Sequence, residues 1–350
     1  MALRWITIVF FFAITEFCSA QDTVRVLHYT ETTGFDHGTR SVSQVMFQRI
    51  CDSLTAQTPH VWLLSHSDSS EVFDDLQTLQ QYSVVIWSNT SGAMGLTLAQ
   101  QLNYQLYVNG GGSYLGVHAA SDTYRHSSAN GNNTGAWDFY AQNMSGCSVQ
   151  ENPNHTADNH NNNMTHAVAH PILAGIPNPW NKTEEYYYWE NGFLDTSCTE
   201  LLRVGVTGPN SYDAARMTAH YKQHAWGSRS FYTSLGHAAT NYTSDPVFEL
   251  LLKNALYWTA NPTGSGTTEP VENEVSIYPN PGHSEVIVSM QGDFDLVVYD
   301  VTGATVQVQN GNRDACRMNT SGWSPGLYVV QVICEEQISI VKLLVNSSKL

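Results

Sequence analysis

Two alternating patterns of hydrophobic and polar residues divide the stretch from Gln21 to Ala260 into predicted strands and helices. Short apolar runs rich in β-branched and aromatic residues predict strands in TVRVLHYT, HVWLLSH, SVVIWSN, GSYLGVHA and, much later, SRSFYTSLGH. Apolar residues at helical spacing predict helices in SVSQVMFQRICDSLTAQ, LTLAQQLNYQLYVNG and DPVFELLLKNALYWTA. The face that the first helix should bury consists of Val42, Val45, Met46, Ile50 and Leu54.

Strands and helices in alternation predict an α/β fold with a mostly parallel sheet flanked by helices. Ligands of such folds bind at the carboxyl ends of the strands. Between Thr123 and Asn181 the pattern gives way to Asn, His, Gly and Pro. This loop-rich insertion follows the fourth strand, so we expect it to help wall the same crevice.

The chain changes character after residue 260. Residues 261–274 are rich in Pro, Gly, Thr and Glu and predict a linker. From there, short apolar runs separated by Gly, Asn and Asp turns predict a small antiparallel β-sandwich over residues 275–350. The predicted organisation is therefore an α/β domain over residues 21–260, a linker and a sandwich.

The first residues predict export. Residues 1–20 contain Arg4, an apolar run from Trp5 to Ile14, and small residues at Ser19 and Ala20, which is typical of a secretory signal peptide. An uncleaved membrane anchor is the alternative, although the run is short for a membrane span. No later stretch is apolar enough to cross a bilayer, so we expect no membrane span in the mature protein.

The net charge restricts the class of ligand that we expect, and the cysteines allow disulfide bonds. The net charge of −16, from 15 basic and 31 acidic residues, disfavours binding to nucleic acid or to an anionic membrane. A neutral ligand such as a sugar is easier to accommodate. In an oxidising compartment Cys316 could pair with Cys334, and Cys147 could pair with Cys198.

Polar residues at the predicted strand ends define a candidate site. His37 follows the first strand, His118 follows the fourth, and His237 follows the late one. The segment TEEYYYWEN adds carboxylates and aromatic surface, including Glu185. Carboxylates accept hydrogen bonds from hydroxyl groups and aromatic faces cover sugar rings, so this combination favours a carbohydrate pocket.

Other interpretations of the same residues remain open. A histidine after a strand can be structural, and the GGG run is typical of a helix C-cap followed by a turn rather than of a phosphate-binding loop. The insertion contains four histidines that could bind zinc or copper, although their spacing does not match HExxH; these are His155, His160, His166 and His170. No G-x-S-x-G motif is present.

Five segments of the chain together resemble the ThuA-like family, named for trehalose utilisation. These segments are HYTETTGFDHGT, GGGSYLGVHAASDT, HPI, EEYYY and FYTSLGHAATNYTSDPVFELLLKNALYWTA. The resemblance implies a fold similar to class I glutamine amidotransferases and a role in the metabolism of sugars, often keto sugars. Those amidotransferases carry a catalytic cysteine at the elbow where His118 stands here, so glutaminase activity is not expected. The family's motif positions fall on His37, His118, Asp122, Glu185, Tyr187 and His237.

The end of the chain has its own resemblance. Its motifs resemble, in content and order, those of the C-terminal sorting domain of the type IX secretion system. They are VSIYPNPGHSEVIVS, LVVYDVTGATV and SPGLYVVQV with ISIVKLLV. The resemblance implies that the secretion machinery is a partner and that the protein passes through the periplasm to the cell surface or the medium.

We therefore predict a secreted ThuA-like protein that acts on or binds a carbohydrate, without a cofactor. His118, His237 and Glu185 are the predicted catalytic residues, since imidazole and carboxylate groups suit proton transfer next to a keto group. We predict that His37, Asp122 and Tyr187 bind the substrate, and we assign no metal ligand. The alternatives are a non-catalytic glycan-binding module and a metal-dependent hydrolase that uses the insertion.

Overall fold

The structure is a computed structural model. The residues it describes are 22–93, 95–125, 137–157, 159–190, 195–224, 227–262, 275–301, 303–334 and 337–346. The predicted signal peptide and most of the predicted linker lie outside the described residues.

Strands and helices alternate in the first part of the described chain, and strands alone make up the last part. The strands are β1 (Thr23–Tyr29), β2 (Val61–Ser67), β3 (Val84–Ser88), β4 (Ser113–Val117), β5 (His160–His166), β6 (Trp180–Glu184), β7 (Thr199–Val204), β8 (Arg216–Gln223), β9 (Arg229–Thr233), β10 (Ser276–Tyr278), β11 (Glu285–Tyr299), β12 (Thr305–Asn319), β13 (Gly326–Cys334) and β14 (Gln337–Val345). The helices are α1 (Arg40–Gln57), α2 (Leu76–Leu79), α3 (Leu98–Asn109), α4 (Ala239–Ser244) and α5 (Pro246–Ala260).

The first nine strands form one sheet in the order β2-β1-β3-β4-β9-β8-β7-β5-β6. Strands β2, β1, β3, β4 and β9 are parallel to one another, whereas β8, β7, β5 and β6 extend the sheet beyond β9 by antiparallel pairing. This confirms the predicted α/β fold with a mostly parallel sheet. The carboxyl ends of β1, β3, β4 and β9 lie side by side, which is where such a sheet binds ligands.

Helices cover both faces of this sheet. Helices α1 and α5 pack on one face against residues such as Val26 and Ile86, and α3 packs on the other against Leu27 and Val85. Neighbouring residues of one strand thus face opposite layers, as the two-residue repeat of a strand requires. Both faces are apolar, which explains why these strands are continuous hydrophobic runs in the sequence.

Helix α1 buries a face slightly different from the predicted one. Met46, Ile50 and Leu54 are buried as expected, but Val45 is 58% exposed and Phe47 is buried instead. The buried residues follow the three- and four-residue spacing of one helical face, and Val45 falls outside that stripe.

The last five strands form a separate antiparallel sheet in which β11 pairs with β10, β12 and β13. Two predicted strands, SEVIVSM and FDLVVYD, are one long strand, β11, with register shifts in its pairing to β12. Hydrophobic residues of this sheet form their own core. The sheet also contacts α3, where Gln331 donates a hydrogen bond to the carbonyl oxygen of Asn109 at 3.0 Å.

All five cysteines in the described residues are free, so neither of the two possible pairings is formed. Cys316 lies on β12 opposite Val288, and Cys334 lies at the end of β13. Because β11 separates β12 from β13, the two thiols occupy strands that are not neighbours.

Candidate functional site

His118 occupies a sharp elbow directly after β4. Its backbone is in the left-handed region with φ of +49°, which is uncommon for a residue with a side chain and is often found at functional sites. The side chain is fully buried, and Nδ1 lies 2.6 Å from the carbonyl oxygen of Ser234. A carbonyl oxygen only accepts, so Nδ1 carries the proton and, in the neutral ring, Nε2 presents a lone pair.

Three imidazoles from three loops meet one carboxylate at this elbow. His118 Nε2 lies 3.2 Å from His37 Nε2 and 3.2 Å from Glu185 Oε2. His237 Nδ1 lies 3.2 Å from the same Glu185 oxygen, and His37 Nε2 lies 3.8 Å from it. One donor atom from each of the four residues lies within 4.8 Å of the others, so this group could hold a metal ion. We call His37, His118, Glu185 and His237 the elbow cluster.

The elbow cluster keeps Glu185 ionised. Burial alone would raise the pKa of Glu185, but the imidazoles of His118, His237 and His37 in contact with its carboxylate outweigh burial and hold the pKa well below its usual range. The pKa of His37 is lowered, mainly because burial disfavours the charged ring. The pocket therefore contains a carboxylate surrounded by nitrogen atoms.

A fourth imidazole contacts the other oxygen of this carboxylate. His155 Nδ1 lies 3.0 Å from Glu185 Oε1 and 2.6 Å from the carbonyl oxygen of Thr156. By the same reasoning as for His118, Nδ1 donates and Nε2 of the neutral ring is unprotonated. The sequence analysis treated His155 only as one of the insertion histidines, because its segment has no regular pattern. The bridge between His155 and Tyr187 brings it to the site.

Glu184 and Glu185 have different environments although they are adjacent. Glu184 is buried and accepts hydrogen bonds from the backbone nitrogen of Gly236 at 2.9 Å and of His237 at 3.3 Å. It also accepts from Asn241 at 2.8 Å. Glu184 thus fixes the loop that carries His237, and Glu185 faces the cleft.

The cleft in front of Glu185 has a volume of about 610 Å³. Of the predicted site residues, five line it and the sixth, His118, is buried beneath them; the five are His37, Asp122, Glu185, Tyr187 and His237. Tyr187 stacks on His118 with ring centroids 4.6 Å apart, and its hydroxyl group lies 3.0 Å from His118 Nε2. The sequence analysis missed Phe35, which lines the cleft and is 66% exposed.

Asp122 borders the cleft but stands apart from the elbow cluster. It accepts a hydrogen bond from Ser91 Oγ and forms an ion pair with Arg125. Among the residues that the structure describes, His160, His166 and His170 join no group of potential metal ligands. His170 instead stacks on Tyr221 at 4.2 Å. Of the four insertion histidines, only His155 therefore reaches the site.

The fold and site define an α/β protein whose elbow after β4 carries a histidine in contact with a carboxylate. The chain belongs to the ThuA family, described as Trehalose utilisation, whose profile matches residues 25–259. Residues 276–346 match the secretion system C-terminal sorting domain. This second match indicates interaction with the secretion machinery and a location outside the cell or at its surface.

A ThuA-like protein from Bacteroides uniformis is similar in structure, with 18% identity, a TM-score of 0.51, and coverage of 69% of this chain and 93% of that one. That likeness shows the fold alone. A cytoplasmic protein from Salmonella typhimurium has 10% identity, a TM-score of 0.47, and coverage of 67% and 99%. No curated protein matches the chain. No described helix is long and apolar enough to cross a membrane.

Proposed function

We propose that this protein binds a carbohydrate in the cleft and acts on it beside Glu185, without glutaminase activity. The observation that carries the proposal is the convergence of four imidazoles on one buried carboxylate in a cleft of sugar size. Phe35 and Tyr187 offer aromatic surface for the C–H faces of a sugar ring. His37 and Asp122 offer polar contacts for its hydroxyl groups.

The cleft supports proton transfer next to the carbonyl of a keto sugar. His155 is the group that we assign to this step, because its Nδ1 is bonded to Glu185 and its ring lines the cleft. The C–H proton moves to His155 Nε2 while the electron pair moves to the carbonyl oxygen and gives an enediolate. The Glu185 carboxylate stabilises the imidazolium ion formed.

His118 and His237 have a different task in this proposal from the one predicted from sequence. His118 is buried behind Tyr187, and both imidazoles contact the Glu185 oxygen that His155 does not use. They hold the carboxylate in place. Family membership and export support a sugar obtained outside the cell.

The experiment is deuterium exchange followed by NMR, with trehalose, other glucosides and their keto derivatives as ligands. We expect the protein to exchange the C–H next to the carbonyl of at least one keto sugar, and His155→Gln to lower the rate by about 10²- to 10⁴-fold. His160→Gln removes another histidine of the insertion and should leave the rate unchanged. Sugar binding without exchange or turnover would instead indicate a glycan-binding module, and no binding of any sugar would refute the proposal.

A further inference from the structure

We propose that the elbow cluster is a binding site for one divalent first-row transition ion. The three imidazoles of His37, His118 and His237 supply nitrogen ligands and Glu185 supplies an oxygen ligand. The sequence analysis assigned no metal to these residues, which are separated along the chain and match no compact metal motif.

The spacing of the donor atoms fits a single ion. Ligand atoms about 2.1 Å from a zinc-like ion lie roughly 3.0 to 3.4 Å from their neighbours in tetrahedral or octahedral geometry. The distances from His118 Nε2 to His37 Nε2, from His118 Nε2 to Glu185 Oε2, and from His237 Nδ1 to Glu185 Oε2 are each 3.2 Å. His37 Nε2 lies farther from Glu185 Oε2, at 3.8 Å, and all four donor atoms lie within 4.8 Å of one another.

The hydrogen bonds of His118 favour a positive charge between its ring and the Glu185 carboxylate. Nδ1 of His118 donates to Ser234, so Nε2 of the neutral ring directs a lone pair toward the Glu185 carboxylate. The hydroxyl group of Tyr187 lies 3.0 Å from Nε2 and can donate to it, but the contact of Nε2 with the Glu185 oxygen at 3.2 Å is repulsive unless a cation or an additional proton lies between them. The two options differ experimentally, because only a metal site binds an ion with fixed stoichiometry.

The surroundings have the arrangement that metal sites use to orient their ligands. A metal-ligating histidine commonly donates its other N–H to a backbone carbonyl, as His118 does to Ser234, and a ligating carboxylate is itself hydrogen-bonded, as Glu185 is by His155. His118 has no exposed surface, and the side chains of Glu185 and His37 are 7% and 5% exposed. Buried, oriented ligands favour tight binding.

The ligand set selects the type of ion. Imidazole nitrogens suit zinc, iron, cobalt, nickel and copper, whereas magnesium and calcium prefer oxygen ligands. His37, Glu185 and His237 also line the cleft, so an ion held there keeps a coordination position open to a ligand in the cleft. Such an ion would polarise the oxygen of a bound carbonyl or hydroxyl group. This inference does not depend on the carbohydrate proposal, because metal binding is measured without sugar.

The test uses the purified chain, stripped with EDTA and titrated with Zn²⁺, Co²⁺, Mn²⁺ or Mg²⁺. We expect one Zn²⁺ or Co²⁺ per chain by metal analysis and calorimetry, a visible Co²⁺ spectrum, a thermal midpoint that rises with Zn²⁺, and no binding of Mg²⁺. Glu185→Gln and His237→Ala should weaken binding by about 100-fold or more. Glu185 and His237 line the cleft, whereas His118 has no exposed surface, and circular dichroism can verify that these two variants fold even if His118→Ala does not.

The double variant His160→Ala/His166→Ala is the matched control. It removes two insertion histidines outside the elbow cluster, so zinc binding should be unchanged. Zinc binding lost in this control but retained in Glu185→Gln would overturn the inference, as would stoichiometry far below one ion per chain. Metal binding by a protein that binds no sugar would refute only the carbohydrate proposal, and deuterium exchange without metal binding would refute only the metal site.

Discussion

At the scale of single residues, two neighbouring glutamates at the end of β6 have different roles. Glu185 faces the cleft and contacts four imidazoles, whereas Glu184 points into the protein and receives two backbone N–H groups. Their opposite directions follow from the alternation of side chains along an extended chain. The sequence motif EEYYY names the pair but does not decide which member faces the cleft.

Glu184→Gln tests the supporting role. The amide nitrogen of Gln cannot accept the hydrogen bonds that Gly236, His237 and Asn241 donate, so at least one buried donor loses its partner. We expect unfolding by urea to show a loss of about 1 to 3 kcal/mol. Glu249→Gln removes a partly exposed ion pair with Arg49 and should cost less than about 1 kcal/mol. Equal losses in the two variants would contradict the role of Glu184.

The residues that the sequence indicated were those at the ends of regular strands. His37, His118 and His237 could be proposed because the carboxyl ends of parallel strands share one edge. His155 and Phe35 could not be found in this way, since they lie in irregular segments whose position depends on long-range pairing. The bridge between His155 and Tyr187 is such a contact, and no local pattern predicts it.

At the scale of elements, the apolar strands and helices were predictable and the antiparallel extension was not. The strands β1, β3, β4 and β9 are buried on both faces, so their hydrophobic runs identify them. Strand β5 has the sequence HNNNMTH, and only Met164 in it is buried. A strand made of polar residues has no hydrophobic pattern, and the sequence analysis interpreted this region as loop.

The N-terminal cap of helix α5 offers a test of how much a local sequence signal contributes to stability. Asp245 accepts hydrogen bonds from Val247 and Phe248 at the start of the helix and forms an ion pair with Lys182 at 2.6 Å. Asp245→Ala should lower the free energy of unfolding by about 1 to 2 kcal/mol through the lost cap alone. Asp245→Asn keeps a capping oxygen and should lose less.

The corresponding change at α2 is the control for this helix. Asp75 caps a four-residue helix from an exposed position. Asp75→Ala should therefore have a smaller effect than Asp245→Ala in the same urea titration. A larger effect at Asp75 would show that the cap of α5 does not contribute as we argue.

At the scale of the whole molecule, one chain combines a site for chemistry with a region for export. The elbow cluster and the cleft belong to the nine-stranded sheet, and the match to the sorting domain covers the five-stranded sheet. The motifs for both were readable from sequence, because each consists of short segments in a fixed order. The four residues of the elbow cluster come from distant parts of the chain, so their proximity depends on the fold of the whole nine-stranded sheet.

The stability of the whole molecule should fall in mild acid because several histidines are buried in the neutral form. Burial lowers the pKa of His28 to about 3, with a further contribution from nearby His66, and lowers the pKa of His220 to about 4. Both values lie below the unfolded value of about 6.5, so the unfolded chain binds more protons between these limits. The contribution of these two histidines to stability is therefore fully present above pH 6.5 and is lost as the pH decreases toward 4.

Urea titrations between pH 7 and pH 5, with EDTA present, measure this loss. Each of the two histidines should contribute about 1.4 kcal/mol per pH unit below 6.5, or about 2 kcal/mol at pH 5. His28→Gln should reduce the slope of stability against pH by one such contribution, whatever its effect on stability at pH 7. His283→Gln, at an exposed position, should keep the wild-type slope. An unchanged slope in His28→Gln would mean that His28 is not neutral in the folded protein, because only a buried neutral histidine takes up a proton when the chain unfolds.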